Sequence, residues 1–145
     1  MQEVQLRILL VEDNPAHAEI VLRNFEMHKV SNCIFHVSDG QEALDYLRNE
    51  GKYSSKEEHP EPNIVLLDLR LPKVDGIEVL KIIKSDGRLK KIPVIILTTS
   101  DAETDIARAY GNYANSYLVK PIEFPKFIEL MESFGYYWLA SNHYS

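Results

Sequence analysis

Acidic, basic and hydroxyl side chains stand at the ends of short aliphatic runs in this sequence, and their types suit phosphate chemistry. Glu12-Asp13 follow the run Leu6 to Val11, Asp68 follows Ile64 to Leu67, Thr98-Thr99 follow Pro93 to Leu97, and Lys120-Pro121 follow Ser116 to Val119. Three carboxylates brought together repel one another and raise each other's pKa unless a cation sits among them. Hard oxygen ligands with positions open to water suit Mg2+. A lysine adds a fixed positive charge and a threonine a hydroxyl donor, so metal, ammonium and hydroxyl could share the charge of a phosphoryl group. Asp68, within Asp68-Leu69-Arg70-Leu71-Pro72, offers a carboxylate nucleophile that could accept phosphate covalently. Any one of these acids could equally end a strand or cap a helix. Convergence of four strand ends is what favours chemistry.

The elements that must bring them together alternate along the chain. Apolar runs, with Cys33 to Val37 as the second, alternate with helix-length amphipathic stretches five times. That pattern predicts an α/β domain, a doubly wound five-stranded parallel sheet with crossover helices on both faces. In such sheets ligands gather beyond the carboxyl ends of the strands. Asn14-Pro15 reads as an N-cap with proline at the first helical position, while Asp39 to Glu42 and Ser100 to Glu103 read as capping boxes. The segment 51–62, polar with a glycine first and two prolines near its end, reads as a long surface loop.

Composition narrows the function classes. The 145 residues are 45% hydrophobic and 26% charged, which predicts one compact domain over 1–145. The net charge of −6 argues against direct nucleic-acid binding. No apolar run nears the roughly 18 residues of a membrane span, and Met1 to Gln5 lack a basic leader, so no membrane association and a cytoplasmic location are expected. The single Cys33 fits a reducing compartment and reads as a small buried hydrophobe.

From about Leu6 to Phe134 the sequence resembles the CheY-like receiver domain of two-component response regulators. The resemblance rests on Glu12-Asp13, on Leu66 to Pro72 with Asp75-Gly76 after it, on Thr98, on Tyr117 and on Lys120-Pro121. It implies a flavodoxin-like sheet of order 2-1-3-4-5. It further implies that Asp68 takes a phosphoryl group from a sensor histidine kinase, with Mg2+ held by Glu12, Asp13, Asp68 and the backbone carbonyl of Arg70. Lys120 would bind the acyl phosphate, Thr98 would swing toward it, Tyr117 would follow as a rotamer switch, and Lys120-Pro121 would be a cis peptide. Phosphorylation would then shift a surface made of the fourth helix, fifth strand and fifth helix. Two positions depart from the commonest pattern: Thr99 is larger than the usual alanine or glycine, and Arg70 is long and cationic. Arg70 either leans on the phosphoryl group and alters its lifetime or lies in solvent.

Ten of the fourteen aromatics lie between Tyr110 and Tyr144. A last helix from Glu123 to about Ala140 would carry an apolar face of about 200°, roughly twice the width of a one-sided core stripe. Phe124, Ile128, Met131 and Trp138 read as core. Tyr110, Tyr113, Phe127, Leu130, Phe134 and Tyr137 read as a contact face, and a homodimer through the fourth helix, fifth strand, fifth helix and an aromatic helical extension 134–145 is expected. The alternatives are a tail folded over its own domain, or aromatics that are ordinary core residues. The tail and the loop 51–62 also resemble the stand-alone receivers paired with phytochrome-type kinases, which would signal by protein contact or by passing phosphate on.

Rival readings fare less well. An aspartate-nucleophile phosphatase of the haloacid-dehalogenase type wants a second aspartate where Arg70 stands. A flavin carrier wants a hydroxyl- and glycine-rich loop, and Glu12 and Asp13 would repel its phosphate. A phosphate-independent receiver-like scaffold shares the fold, but no residue favours it. The expected role is a phosphoacceptor signalling domain, not an enzyme, with at most slow self-phosphorylation from small phosphodonors and slow self-dephosphorylation.

Overall fold

The computed structural model describes residues 6–27, 33–98, 103–111, 114–120 and 122–133. Five strands form one parallel sheet: β1 (Arg7–Val11), β2 (Cys33–Val37), β3 (Ile64–Asp68), β4 (Val94–Thr98) and β5 (Ser116–Val119). Between and after them run α1 (Pro15–Met27), α2 (Gly40–Arg48), α3 (Gly76–Ser85), α4 (Glu103–Gly111) and α5 (Phe124–Ser133). The sheet order is β2-β1-β3-β4-β5. Both the class and the strand order match the sequence expectation. Among the described residues, no helix is long and apolar enough to cross a membrane.

Why the strands are aliphatic throughout follows from the two layers. Successive strand residues point to opposite faces. Leu9, Val11, Val65, Leu67, Val94 and Ile96 pack under α2, α3 and α4, with Leu44, Val79 and Ile83 among the helical partners. Their strand neighbours Ile8, Leu10, Ile64, Leu66, Ile95 and Leu97 pack against α1 and α5, where Val21, Phe25, Phe127 and Ile128 meet them. Both faces being covered, no position in the central strands is left for a polar residue until the strands end.

The local signals at the helix starts behave as their chemistry requires. Asn14 Oδ1 accepts the amides of Ala16 at 2.9 Å and His17 at 3.2 Å. Asp39 Oδ1 accepts the Glu42 amide at 2.8 Å, and Glu42 Oε2 reaches back to the Ser38 amide at 3.0 Å. The third capping pattern begins at Ser100, outside the described residues. Glycine at the head of α2 is required, since a Cβ on Gly40 would lie 1.9 Å from the Val74 carbonyl oxygen.

Two expectations need correction. Cys33 is half-exposed on the edge strand and not buried. Segment 51–62 is exposed over most of its length, as a surface loop should be; it opens with a short 3-10 turn at Gly51–Tyr53 and folds back onto α2. Tyr53 and His59 close around the buried Tyr46 with ring centroids 5.4 and 5.7 Å away, and the Tyr46 hydroxyl donates to the Pro60 carbonyl at 2.9 Å. Asn49, left-handed at φ 53° beyond α2, pins the return by donating to the carbonyls of Tyr53 at 3.1 Å and His59 at 3.0 Å. Phe127 is fully buried, its ring 4.6 Å from that of Phe25, so it belongs to the chain's own core and not to a contact face. At 100° per residue it falls with Ile128 on the side of α5 that meets α1.

Candidate phosphoacceptor site

The carboxyl ends of β1, β3 and β4 and the residue after β5 meet at one edge of the sheet. The Glu12 amide continues the β1 ladder to the Val37 carbonyl at 3.1 Å, and its own carbonyl accepts from His36 Nε2 at 2.8 Å. Asp68 is the last residue of β3 and pairs beside Leu97. The Lys120 amide donates to the Thr98 carbonyl at 2.9 Å, which carries the β4–β5 ladder one residue past Val119. Backbone pairing of central strands thus fixes where each functional side chain begins.

Both oxygens of Asp68 are engaged. Oδ1 accepts the Arg70 amide at 2.8 Å and Oδ2 accepts from Lys120 Nζ at 2.7 Å. Lys120 also donates to Glu12 Oε2. These are enclosed groups, with Glu12 1%, Asp68 7% and Thr98 3% exposed. Gly76 at the head of α3 lets the following loop close on this strand end, because a Cβ there would lie 2.4 Å from the Asp68 carbonyl oxygen.

Electrostatics follow from that enclosure. Burial pushes the Glu12 carboxyl above its ordinary value, and the neighbouring Asp68 adds to the effect against the pull of Lys120. Burial alone would lower the Lys120 ammonium, but its bonds to Asp68 and Glu12 outweigh it and hold the group above its ordinary value. Glu12, Asp13 and Asp68 bring carboxylate oxygens within 4.8 Å of one another, with Asp13 exposed at the mouth. Three formal negative charges against one ammonium leave −3 + 1 = −2 among these four side chains. An all-oxygen donor set of that charge, open to water on the Asp13 side, fits a hard divalent cation.

The sequence-predicted set Glu12, Asp13, Asp68 and Lys120 is therefore brought together, and Thr98 ends the strand beside it. Arg70 places its amide on Asp68 while its side chain is exposed. Tyr117, half-buried on β5, lies edge-on to Tyr110 with centroids 5.7 Å apart. Tyr110 is 44% exposed and Leu130 is half-buried against the α1 and α5 layer. Pro121, Tyr113, Phe134 and Tyr137 lie outside the described residues. Sequence reading missed His17, whose Nδ1 stands 3.3 Å from Lys120 Nζ and 3.7 Å from Glu12 Oε1. Its only advance signal was its place in the first turn after the Asn14 cap, directly beyond the acidic strand end.

Comparison with known proteins agrees with this geometry. The family model described as response regulator receiver domain matches residues 8–132. The probable methanogenesis regulatory protein FilR2 of Methanothrix harundinacea is 51% identical over 136 residues, covering 93% of this chain and 84% of that protein. The response regulator Rcp1 of Synechocystis sp. is 38% identical over 92% of this chain and 89% of its own length. The crystal structure of the Mn2+-bound form of a response regulator Rcp1, 39% identical, superposes with a TM-score of 0.70, covering 92% of this chain and 94% of that one. The phosphorylated cyanobacterial phytochrome response regulator RcpA superposes with a TM-score of 0.77 at 38% identity, covering 95% and 96% of the two chains. Acidic strand ends, a lysine-bridged aspartate and a 2-1-3-4-5 sheet are thus joined by a family match across most of the sequence, and the chain belongs to the response regulator receiver domain family, signalling proteins that are typically phosphorylated and bind Mg2+.

Proposed function

We propose that Asp68 is the phosphoacceptor and that a sensor histidine kinase is the donor. The observation that carries this is the state of Asp68: a buried carboxylate held through Oδ1 by the Arg70 amide and through Oδ2 by Lys120, with two more acids beside it. An Asp68 oxygen attacks the phosphorus, a new O–P bond forms, and the bond from phosphorus to the donor nitrogen or oxygen breaks with its electron pair leaving on the donor. Glu12, Asp13, Asp68 and the Arg70 carbonyl would hold Mg2+, which supplies charge neutralisation for the phosphoryl oxygens when bound. Lys120 passes one hydrogen bond from Asp68 to the phosphoryl group, and the Thr98 hydroxyl donates a second.

Readout then runs through Tyr117 and the α4, β5 and α5 face. Tyr110 and Val119, 44% and 41% exposed, supply apolar surface there and support a homodimer. Similarity to the phytochrome response regulator RcpA supports a phytochrome-type kinase as donor. Incubation with acetyl phosphate and Mg2+ followed by intact mass tests the acceptor. The wild type gains one phosphoryl group and Asp68→Asn gains none; no gain in wild type, or equal gain in both, overturns the reading.

A further inference from the structure

We infer that His17 is a positioning residue for Lys120, an inference that rests on the phosphoacceptor reading and adds a group to it. A lysine ammonium has three N–H donors and no acceptor. Here they face three acceptors from three different elements: Glu12 Oε2 beyond β1, Asp68 Oδ2 at the end of β3 and His17 Nδ1 in the first turn of α1. Because the ammonium can only donate, Nδ1 must present its lone pair, and the ring proton sits on Nε2. The nearby Glu12 Oε1, at 3.7 Å, is satisfied instead by the Asn14 amide at 3.2 Å.

The consequence lies in the transfer step. Three acceptors fix the direction of an otherwise freely rotating ammonium. When Asp68 becomes an acyl phosphate, one of the three is exchanged for a phosphoryl oxygen, while Glu12 and His17 keep the other two. Without His17 the ammonium swings between the two carboxylates and meets the incoming phosphoryl group less often in the right direction. His17 acts through Lys120 and makes no bond of its own to the phosphoryl group.

The test compares wild type, His17→Ala and His17→Asn. Alanine is a good helix former, so α1 is not put at risk; asparagine places an acceptor oxygen where Nδ1 stood. Phosphorylation by acetyl phosphate at saturating Mg2+ should slow about three- to tenfold in His17→Ala, the worth of part of one hydrogen bond to a charged group, and recover in His17→Asn. Mg2+ affinity by calorimetry should change far less than the rate across the three, because His17 bonds the ammonium and is not itself a cation ligand. Nitrogen NMR of labelled histidine should find His17 of wild type with its proton on Nε2. Equal rates in His17→Ala, a slowing that asparagine does not rescue, a parallel loss of Mg2+ affinity, or a proton on Nδ1 would each overturn the inference. Failure of wild type to label at all would overturn the phosphoacceptor reading instead, and the NMR result would still stand for or against His17.

Discussion

Lys120 is the side chain on which the site's charge balance turns. It neutralises two enclosed carboxylates whose own burial makes their charge costly. Replacing it with methionine keeps the volume and removes the charge, which should destabilise the cation-free protein by about 3 kcal/mol. Mg2+ should recover much of that loss, since a cation bound only by the folded state stabilises it. Thermal melts with and without Mg2+ check this, and a larger Mg2+-induced rise in Tm for Lys120→Met than for wild type is the expected sign. At this scale the sequence was largely readable. Carboxylates, lysine and threonine at strand ends advertise themselves by type and position. His17 did not, because its role exists only through a lysine 103 positions away in the chain.

At the scale of elements, polar anchors tie helices to their neighbours where periodicity shows nothing. Lys84, near the end of α3, donates to the carbonyls of Lys90 at 3.2 Å and Ile92 at 2.8 Å and to Asn115 Oδ1 at 3.1 Å. Asn115 Oδ1 in turn accepts the Val94 amide at 2.8 Å, so one ammonium joins α3 to the starts of β4 and β5. Lys84→Met removes that link and should cost about 0.5–1.5 kcal/mol in urea unfolding, the net worth of one hydrogen bond where water can replace the exposed ones. Glu42 of α2 does similar work for segment 51–62. Its carboxyl, hydrogen-bonded to Lys52 first and to the Ser38 amide next, is lowered from 4.5 to about 2. A folded-state value below the unfolded one means that Glu42 stabilises the fold above pH 4.5 and that this contribution fades as pH falls toward 2. Glu42→Gln should therefore flatten the loss of stability between those limits, seen as a smaller difference in urea midpoint between pH 5 and pH 3, about one unit either side of the ordinary carboxylate range. Strands, caps and the acidic edge were legible because each has a periodic or positional signature. The packing of 51–62 was not, since its apolar content is two rings, Tyr53 and His59, scattered in a polar run.

For the molecule as a whole, the described residues of the aromatic surplus divide between core, where Phe127 is buried, and surface, where Tyr110 is exposed. Phe127→Ala should cost about 3–5 kcal/mol, as removal of a buried aromatic does, with no direct effect on association. Tyr110→Arg should change stability by about 0.5 kcal/mol or less, the usual range for surface positions, yet shift any dimer to monomer. Light-scattering mass of both variants, with and without acetyl phosphate, separates the two roles. Sequence periodicity alone placed Phe127 between the two faces of α5, and only the position of α1, with Phe25 against it, decides the side.

The same topology sets how the site is lost. Of the strands that contribute to it, β5 lies at the rim of the sheet, four residues long and, among the described residues, paired to β4 alone. Lys120 follows it directly. Rim elements with one neighbour open at lower free energy than the centre of a domain. Competence for phosphate should therefore vanish before the fold does: in rising urea, acetyl-phosphate labelling should fall off at lower denaturant than far-ultraviolet ellipticity. Conditions that merely loosen this margin would leave a folded protein deaf to its kinase, and a chain emerging from the ribosome could not be charged until its last strand had docked.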